Sequence, residues 1–164
     1  MFLSSLFSSS SCHVPQSGLD WTIEKYRIPS SLNSVLPEND TAIYPFKPGK
    51  IGIYTRMFDY FNYRLLLTKF LVDVLMFHQV QLSQMNSFGL AKVCHFELSC
   101  RGLDSDPDLD VFRAFYRFNR TGDWYTFEVR NKNATCFSWI TSSIKNWKDR
   151  FFLVDDRCIS SKMA

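Results

Sequence analysis

Paired cysteines are lacking in this sequence. Cys12, Cys94, Cys100, Cys136 and Cys158 are an odd set with no repeating spacing and no CxxC pair. That argues against a disulfide framework and against the tight paired spacing that zinc sites favour, and it fits reduced thiols inside a cell. Glycine is scarce, at six residues. Gly49-Lys50 lacks the upstream glycine of a phosphate loop, and there is neither a glycine-rich dinucleotide motif nor a serine nucleophile elbow. Neither sign of charge dominates: 19 basic against 16 acidic residues leave a net charge of +3, well short of the strongly basic chains that announce nucleic-acid binding. No hydrophobic run is long enough for a membrane. The longest, Leu65 to Val80, is interrupted by Thr68, Lys69, Asp73, His78 and Gln79, whereas a span needs about 20 mostly apolar residues. The start, Met1 to Ser11, carries Phe2, Leu3, Leu6 and Phe7 diluted by serine, with no preceding Lys or Arg, so it does not read as a secretory signal. Without secretion, the Asn-x-Thr sequons at Asn39, Asn119 and Asn133 carry no glycan.

What the chain does have is aromatic mass. Sixteen Phe, a 16% aromatic fraction and a 46% apolar fraction over 164 residues call for a real core and, by length, one domain. The division expected is a disordered Ser-rich lead over 1–18, a single domain over 19–156 and a frayed tail over 157–164. Leu19 to Arg27 reads as a short helix with Asp20 as its cap, stopped before Pro29. Residues 29–49, with Pro29, Pro37, Pro45 and Pro48, read as an extended connector. Lys50 to Tyr54 is a strand candidate, followed by an aromatic segment, Thr55 to Asn62.

The strongest helical period follows. Leu67, Phe70, Leu71, Val74 and Leu75 recur at steps of three and four. After a turn at Ser83 to Ser87, Leu90, Val93, Cys94, Leu98 and Leu103 keep the same period. Asp104 to Asp108 is a turn with Asp108 as N-cap, where carboxylates suit the helix dipole. A third helix is expected over 109–118, broken at Thr121-Gly122-Asp123. Trp124 to Arg130 alternates as a strand, Asn131-Lys132-Asn133 is a turn, and Thr135 to Ile140 is its hairpin partner. Ser142 or Ser143 caps a short helix through Lys148, and Phe151 to Val154 closes the sheet. The fold class expected is α+β: three central helices packed with a small, mostly C-terminal antiparallel sheet. The expected core is Phe70, Leu71, Val74, Leu75, Val93, Phe112, Phe115, Trp147 and Phe152.

Catalytic constellations are hard to build from these residues. Two-metal phosphoryl transfer needs converging carboxylates, but Asp59, Asp73 and Glu97 lie in helical or aromatic segments, and Asp104, Asp106, Asp108 and Asp110 crowd one turn. That turn is no EF-hand, having neither the turn glycine nor the closing glutamate. Cys94 and His95 point about 100° apart on a helix. Cys100 does not follow Cys94 by three or four, so core thiols and a boundary histidine are expected there. His13 and His78 have no obvious partners. No catalytic residue, metal ligand or cofactor is expected. Nucleic-acid binding is the livelier option: Arg113, Arg117 and Arg120 would form one basic helix edge, Lys145, Lys148 and Arg150 add charge beside Trp147, and Trp124, Tyr125 and Trp139 could stack on bases if exposed. A solvated helix face with core aromatics is the plainer reading of the same residues. An apolar surface for self-association is equally open, because sixteen Phe are many for one small core.

Several runs, taken in order, resemble a plant family of gypsy-type transposon proteins. They are Lys50-Ile51-Gly52-Ile53-Tyr54-Thr55-Arg56 with Phe58; Thr68 to Leu75; Leu82-Ser83-Gln84; Ala91-Lys92-Val93 with His95-Phe96-Glu97; Leu109 to Tyr116; Gly122-Asp123-Trp124; and Ser143 to Asp155, whose Trp147-Lys148 followed by Phe151-Phe152 is the most telling. The resemblance implies a domain near the start of a retroelement reading frame, followed by charged, coiled-coil-prone sequence, and it brings no catalytic residues with it. The function expected is a non-catalytic structural or interaction module, gag-like in role, with nucleic-acid binding as the alternative. The partners expected are a second copy or another retroelement protein, with neither a membrane nor a small-molecule substrate. The place expected is the cytoplasm or nucleus.

Overall fold

The computed structural model describes residues 12–38, 49–61, 65, 67–131 and 147–157. The fold is α+β. Its elements in order are α1 (Gln16–Tyr26), β1 (Lys50–Tyr54), α2 (Arg56–Phe61), α3 (Lys69–His78), α4 (Ser87–Gly102), α5 (Leu109–Phe115), β2 (Tyr116–Thr121), β3 (Trp124–Val129) and β4 (Phe151–Asp155), with single 3₁₀ turns at Ser30–Leu32 and Leu82–Gln84. The expected hairpin strand at Thr135 to Ile140, the capped helix from Ser142 or Ser143, and residues 1–11, 39–48 and 158–164 lie outside the described residues.

The sheet is two antiparallel pairs. β1 and β4 are about a hundred residues apart in sequence and pair with Ile53 opposite Phe152 and Tyr54 opposite Phe151. Val35 bridges the other edge of β4 through two backbone bonds with Leu153, at 2.9 and 2.8 Å. β2 and β3 form a tight hairpin closed at Thr121 and Trp124. Gly122 supplies its positive φ of 61°, a conformation that costs a side-chain-bearing residue.

Three differences from the sequence expectation have plain causes. Helix α1 begins at Gln16, inside the stretch read as lead, with Pro15 at the N-cap position. Proline's fixed φ suits a helix start. Asp20 therefore sits inside the helix, accepting a bond from Gln16 Nε2 at 2.8 Å rather than capping. The third helix ends at Phe115, not 118, because Tyr116 turns extended at φ −122°, ψ 142° and enters β2. Seven residues provide few intrahelical bonds, whereas pairing with β3 satisfies the backbone of a stretch containing two aromatics. Last, Leu98, Leu103 and Val111 are exposed, although their spacing matched an apolar face. Phe115 and Trp147 are only half-buried, packed against the core from its margin.

The core lies where α3, α4 and α5 meet the hairpin. Phe70, Phe96, Tyr116 and Phe127 ring the buried Phe112, with centroid separations between 4.9 and 5.8 Å. A second aromatic group joins the two sheets. Trp124 Nε1 donates to Tyr54 Oη at 3.0 Å, and Tyr54 Oη donates onward to the Ser83 carbonyl at 3.4 Å. Burial raises the Tyr54 phenol well above its ordinary range, so it stays a donor.

Helix α4 can approach β3 this closely because residue 89 has no side chain. A Cβ there would stand 2.9 Å from both Met85 Cε and Thr126 Cα. Gly89→Ala is expected to destabilise the fold by about 1–3 kcal/mol despite alanine's better helix propensity, since the Thr126 backbone must move. Urea unfolding of the variant checks this.

Candidate functional site

The expected nucleic-acid residues do not form one surface. Arg113 lies in the last turn of α5, pairs with Asp110 at 2.9 Å and lies over the Phe77 ring at 4.3 Å. Arg117 is on β2 opposite Glu128, which it pairs at 3.1 Å. Arg120 Nε donates to its own turn, to Gly122 O at 3.0 Å. Arg117 and Arg120 are three apart on one strand, so they leave opposite faces. The single basic helix edge is therefore not formed, because the helix has become a strand by Tyr116. Lys148 lies over the Trp124 ring at 3.9 Å. Trp124 is buried, and Tyr125 is half-buried and stacked on Phe118 at 5.1 Å, so neither is the exposed stacking platform envisaged. Lys145 and Trp139 lie outside the described residues.

Arg150 is different. It precedes β4 on an exposed position and lines a cleft of about 390 Å³ together with Val14, Pro15, Trp21, Tyr26 and Arg56. One wall is α1 and the segment before it. His13 N–H donates to the Asp149 carbonyl at 2.7 Å and Cys12 Sγ to the Phe151 carbonyl at 3.0 Å, which pins that segment beside β4. The other wall is Thr55 and α2. Tyr26 stacks on Phe58 at 5.0 Å, and Phe58 on Phe152 at 6.1 Å, so the cleft walls are tied to the core.

Asp59 holds the floor of the cleft together. It accepts from Lys25 Nζ at 3.3 Å and from the Tyr26 hydroxyl, and faces Arg56 at 3.6 Å. The bond to Tyr26 raises the Lys25 ammonium pKa, and partial burial raises the Tyr26 phenol. Lys25 also lies 4.2 Å from the Trp21 ring centroid. Asp59 is thus surrounded by donors, while the Arg150 guanidinium makes no hydrogen bond or ion pair among the described residues. Trp21, 53% exposed, stands at the apolar rim. The cleft therefore offers a fixed aromatic wall and an uncommitted cation, a pairing suited to a carboxylate beside an apolar group.

Other chemistry-bearing residues are engaged separately. Asp73 pairs with Lys69, and Glu97 accepts from Thr68 at 2.7 Å and Arg101 at 2.6 Å. Cys94 packs partly buried against the core, and burial, aided by the Glu97 carboxylate, pushes its thiol up to about 12. A thiol so rarely ionised is a poor nucleophile. No cluster of three His, Cys, Asp or Glu that could hold a metal occurs among the described residues. Their helices include none long and apolar enough to cross a membrane.

His78, the last residue of α3, stacks on Phe118 at 4.2 Å and meets the Phe127 edge at 5.3 Å. Burial first, then Arg113, lowers its pKa; burial alone lowers that of His95. Below the ordinary histidine range the unfolded chain binds protons that the folded chain resists. The two histidines therefore favour the folded state at neutral pH, and that contribution is lost as the pH falls from about 6.5 toward their folded values. The thermal midpoint is expected to drop between about pH 7 and pH 5, and less steeply in His78→Gln.

The sequence reading did not bring Trp21, Tyr26, Arg56 and Asp59 together. Their contact joins α1 to α2 across the proline-rich connector, and no short-range spacing signals it. No family model, curated protein or solved structure matches this chain.

Proposed function

We propose that the chain is a non-catalytic interaction module, gag-like in role and derived from a plant gypsy-type retroelement, which binds a second copy of itself. The observation that carries this reading is the cleft between α1 and α2, with half-exposed Trp21 at its rim and Arg150 unpaired among the described residues. Exposed tryptophan and arginine are the residue types that anchor protein contacts. Lys25 and Tyr26 of α1 donate to Asp59 of α2, and Tyr26 stacks on Phe58, so the two walls of the cleft are held by contacts within the chain itself. Binding then costs little ordering entropy.

The test is light scattering of the purified chain over a range of concentrations at low salt. The weight-average mass should rise with concentration, and Trp21→Ala should hold it near the monomer value. A wild-type mass that stays monomeric throughout contradicts the proposal.

The nucleic-acid alternative is favoured by one feature, the exposed cations Lys148 and Arg150 two residues apart. It calls for binding to unrelated DNA with a log–log salt slope of about −0.9 per phosphate neutralised. Asp59 at the floor of the cleft and the internal pairing of Arg113, Arg117 and Arg120 weigh against it.

A further inference from the structure

Resting on that self-association reading, we infer which surface of the second copy fills the cleft: the acidic turn between α4 and α5. The turn presents Leu103, 80% exposed, followed by Asp104, Ser105 and Asp106, all exposed. Asp104 and Asp106 make no side-chain hydrogen bond or ion pair among the described residues, unlike Asp110, which pairs with Arg113, and Asp108, which caps α5 through Val111 N–H at 2.9 Å. Among the charges without a side-chain hydrogen bond or ion pair in the described residues, the acids of this turn stand beside an exposed leucine and the Arg150 guanidinium stands in the cleft beside an exposed tryptophan. Within one molecule they do not meet. Between molecules, Arg150 can pair with Asp104 or Asp106 while Leu103 covers Trp21 and the apolar rim of Val14 and Pro15.

Backbone hydrogen bonds also hold the turn to the end of α4. Leu103 N–H donates to the Ser99 carbonyl and Ser105 N–H to the Cys100 carbonyl, at 3.1 and 2.9 Å, and Asp104 holds a left-handed φ of 52°. Turn and cleft are both formed in advance, which lowers the ordering cost of docking. Because the two surfaces differ, the contact is head-to-tail, and such contacts build rings or open chains rather than a closed two-fold dimer. A contact between one turn and one cleft is weak, with assembly visible only at high protein concentration.

The experiment is a charge exchange read by sedimentation equilibrium at low salt. One chain carries Arg150→Glu; the other carries Asp104→Lys with Asp106→Lys. All three positions are exposed, and circular dichroism confirms that each variant is folded. Each variant alone should associate about tenfold or more weakly than wild type, because reversal turns an attraction into a repulsion. An equimolar mixture should recover association, since the glutamate cleft of one chain faces the lysine turn of the other and the native pairing remains in the opposite direction. If both variants assemble as wild type does, or if the mixture fails to recover, this docking mode is overturned while self-association stands. Wild-type chain that stays monomeric yet gains mass on addition of duplex DNA overturns it too.

Discussion

Replacing Phe112 with alanine is expected to cost about 3–5 kcal/mol of folding stability. The ring is fully buried and touches Phe70 from α3, Phe96 from α4, Tyr116 from β2 and Phe127 from β3. Removing it opens a void that four elements border, and none can close it without leaving another contact. Against a total stability of about 5–15 kcal/mol for a domain, that loss is large. Denaturant unfolding should show a lower midpoint with an unchanged slope. Phe115→Ala, at the half-buried margin, should cost clearly less. Equal losses at the two positions would mean that the core is centred elsewhere.

The second large effect is expected at Thr68. Its hydroxyl accepts the Leu71 N–H at 3.2 Å, capping α3, and donates to Glu97 Oε2 at 2.7 Å, joining α3 to α4. Glu97 is buried, and its other partner, Arg101, is an exposed neighbour one turn along the same helix. Thr68→Val keeps the shape and removes both bonds. The lost cap and the under-satisfied buried carboxylate together should cost about 2–4 kcal/mol. Thr68→Ser should restore most of it. If valine costs no more than a surface change and serine restores nothing, Thr68 does not link the two helices.

Much of this fold was legible because local signals agreed with the final packing. Lys50 to Tyr54 and Phe151 to Val154 read as strands and are β1 and most of β4. Asp108 was recognisable as a cap, and the three-and-four spacing from Phe70 to Leu75 marks the buried face of α3. The errors came where two patterns overlapped. Phe112, Phe115 and Phe118 fit a helical period, yet Phe118 and Arg120 belong to a strand whose partner lies beyond Gly122. Leu98 and Leu103 fit the period of α4 but extend it past the neighbours that could cover them. The cleft was the least legible part. Arg150 was singled out for its charge alone, while Trp21, Tyr26 and Asp59 reach it through contacts across more than thirty residues.

Hydrogen exchange on dilute and concentrated samples of the wild-type chain tests most directly whether the cleft is the self-association surface. Buried contacts slow the opening of the segments they cover. The account predicts slower exchange at high concentration in peptides from α1 and α2, together with the turn around Leu103 to Asp106, and unchanged exchange in the β2–β3 hairpin. Slowing that is absent from α1 and α2, or confined to the hairpin, would contradict it.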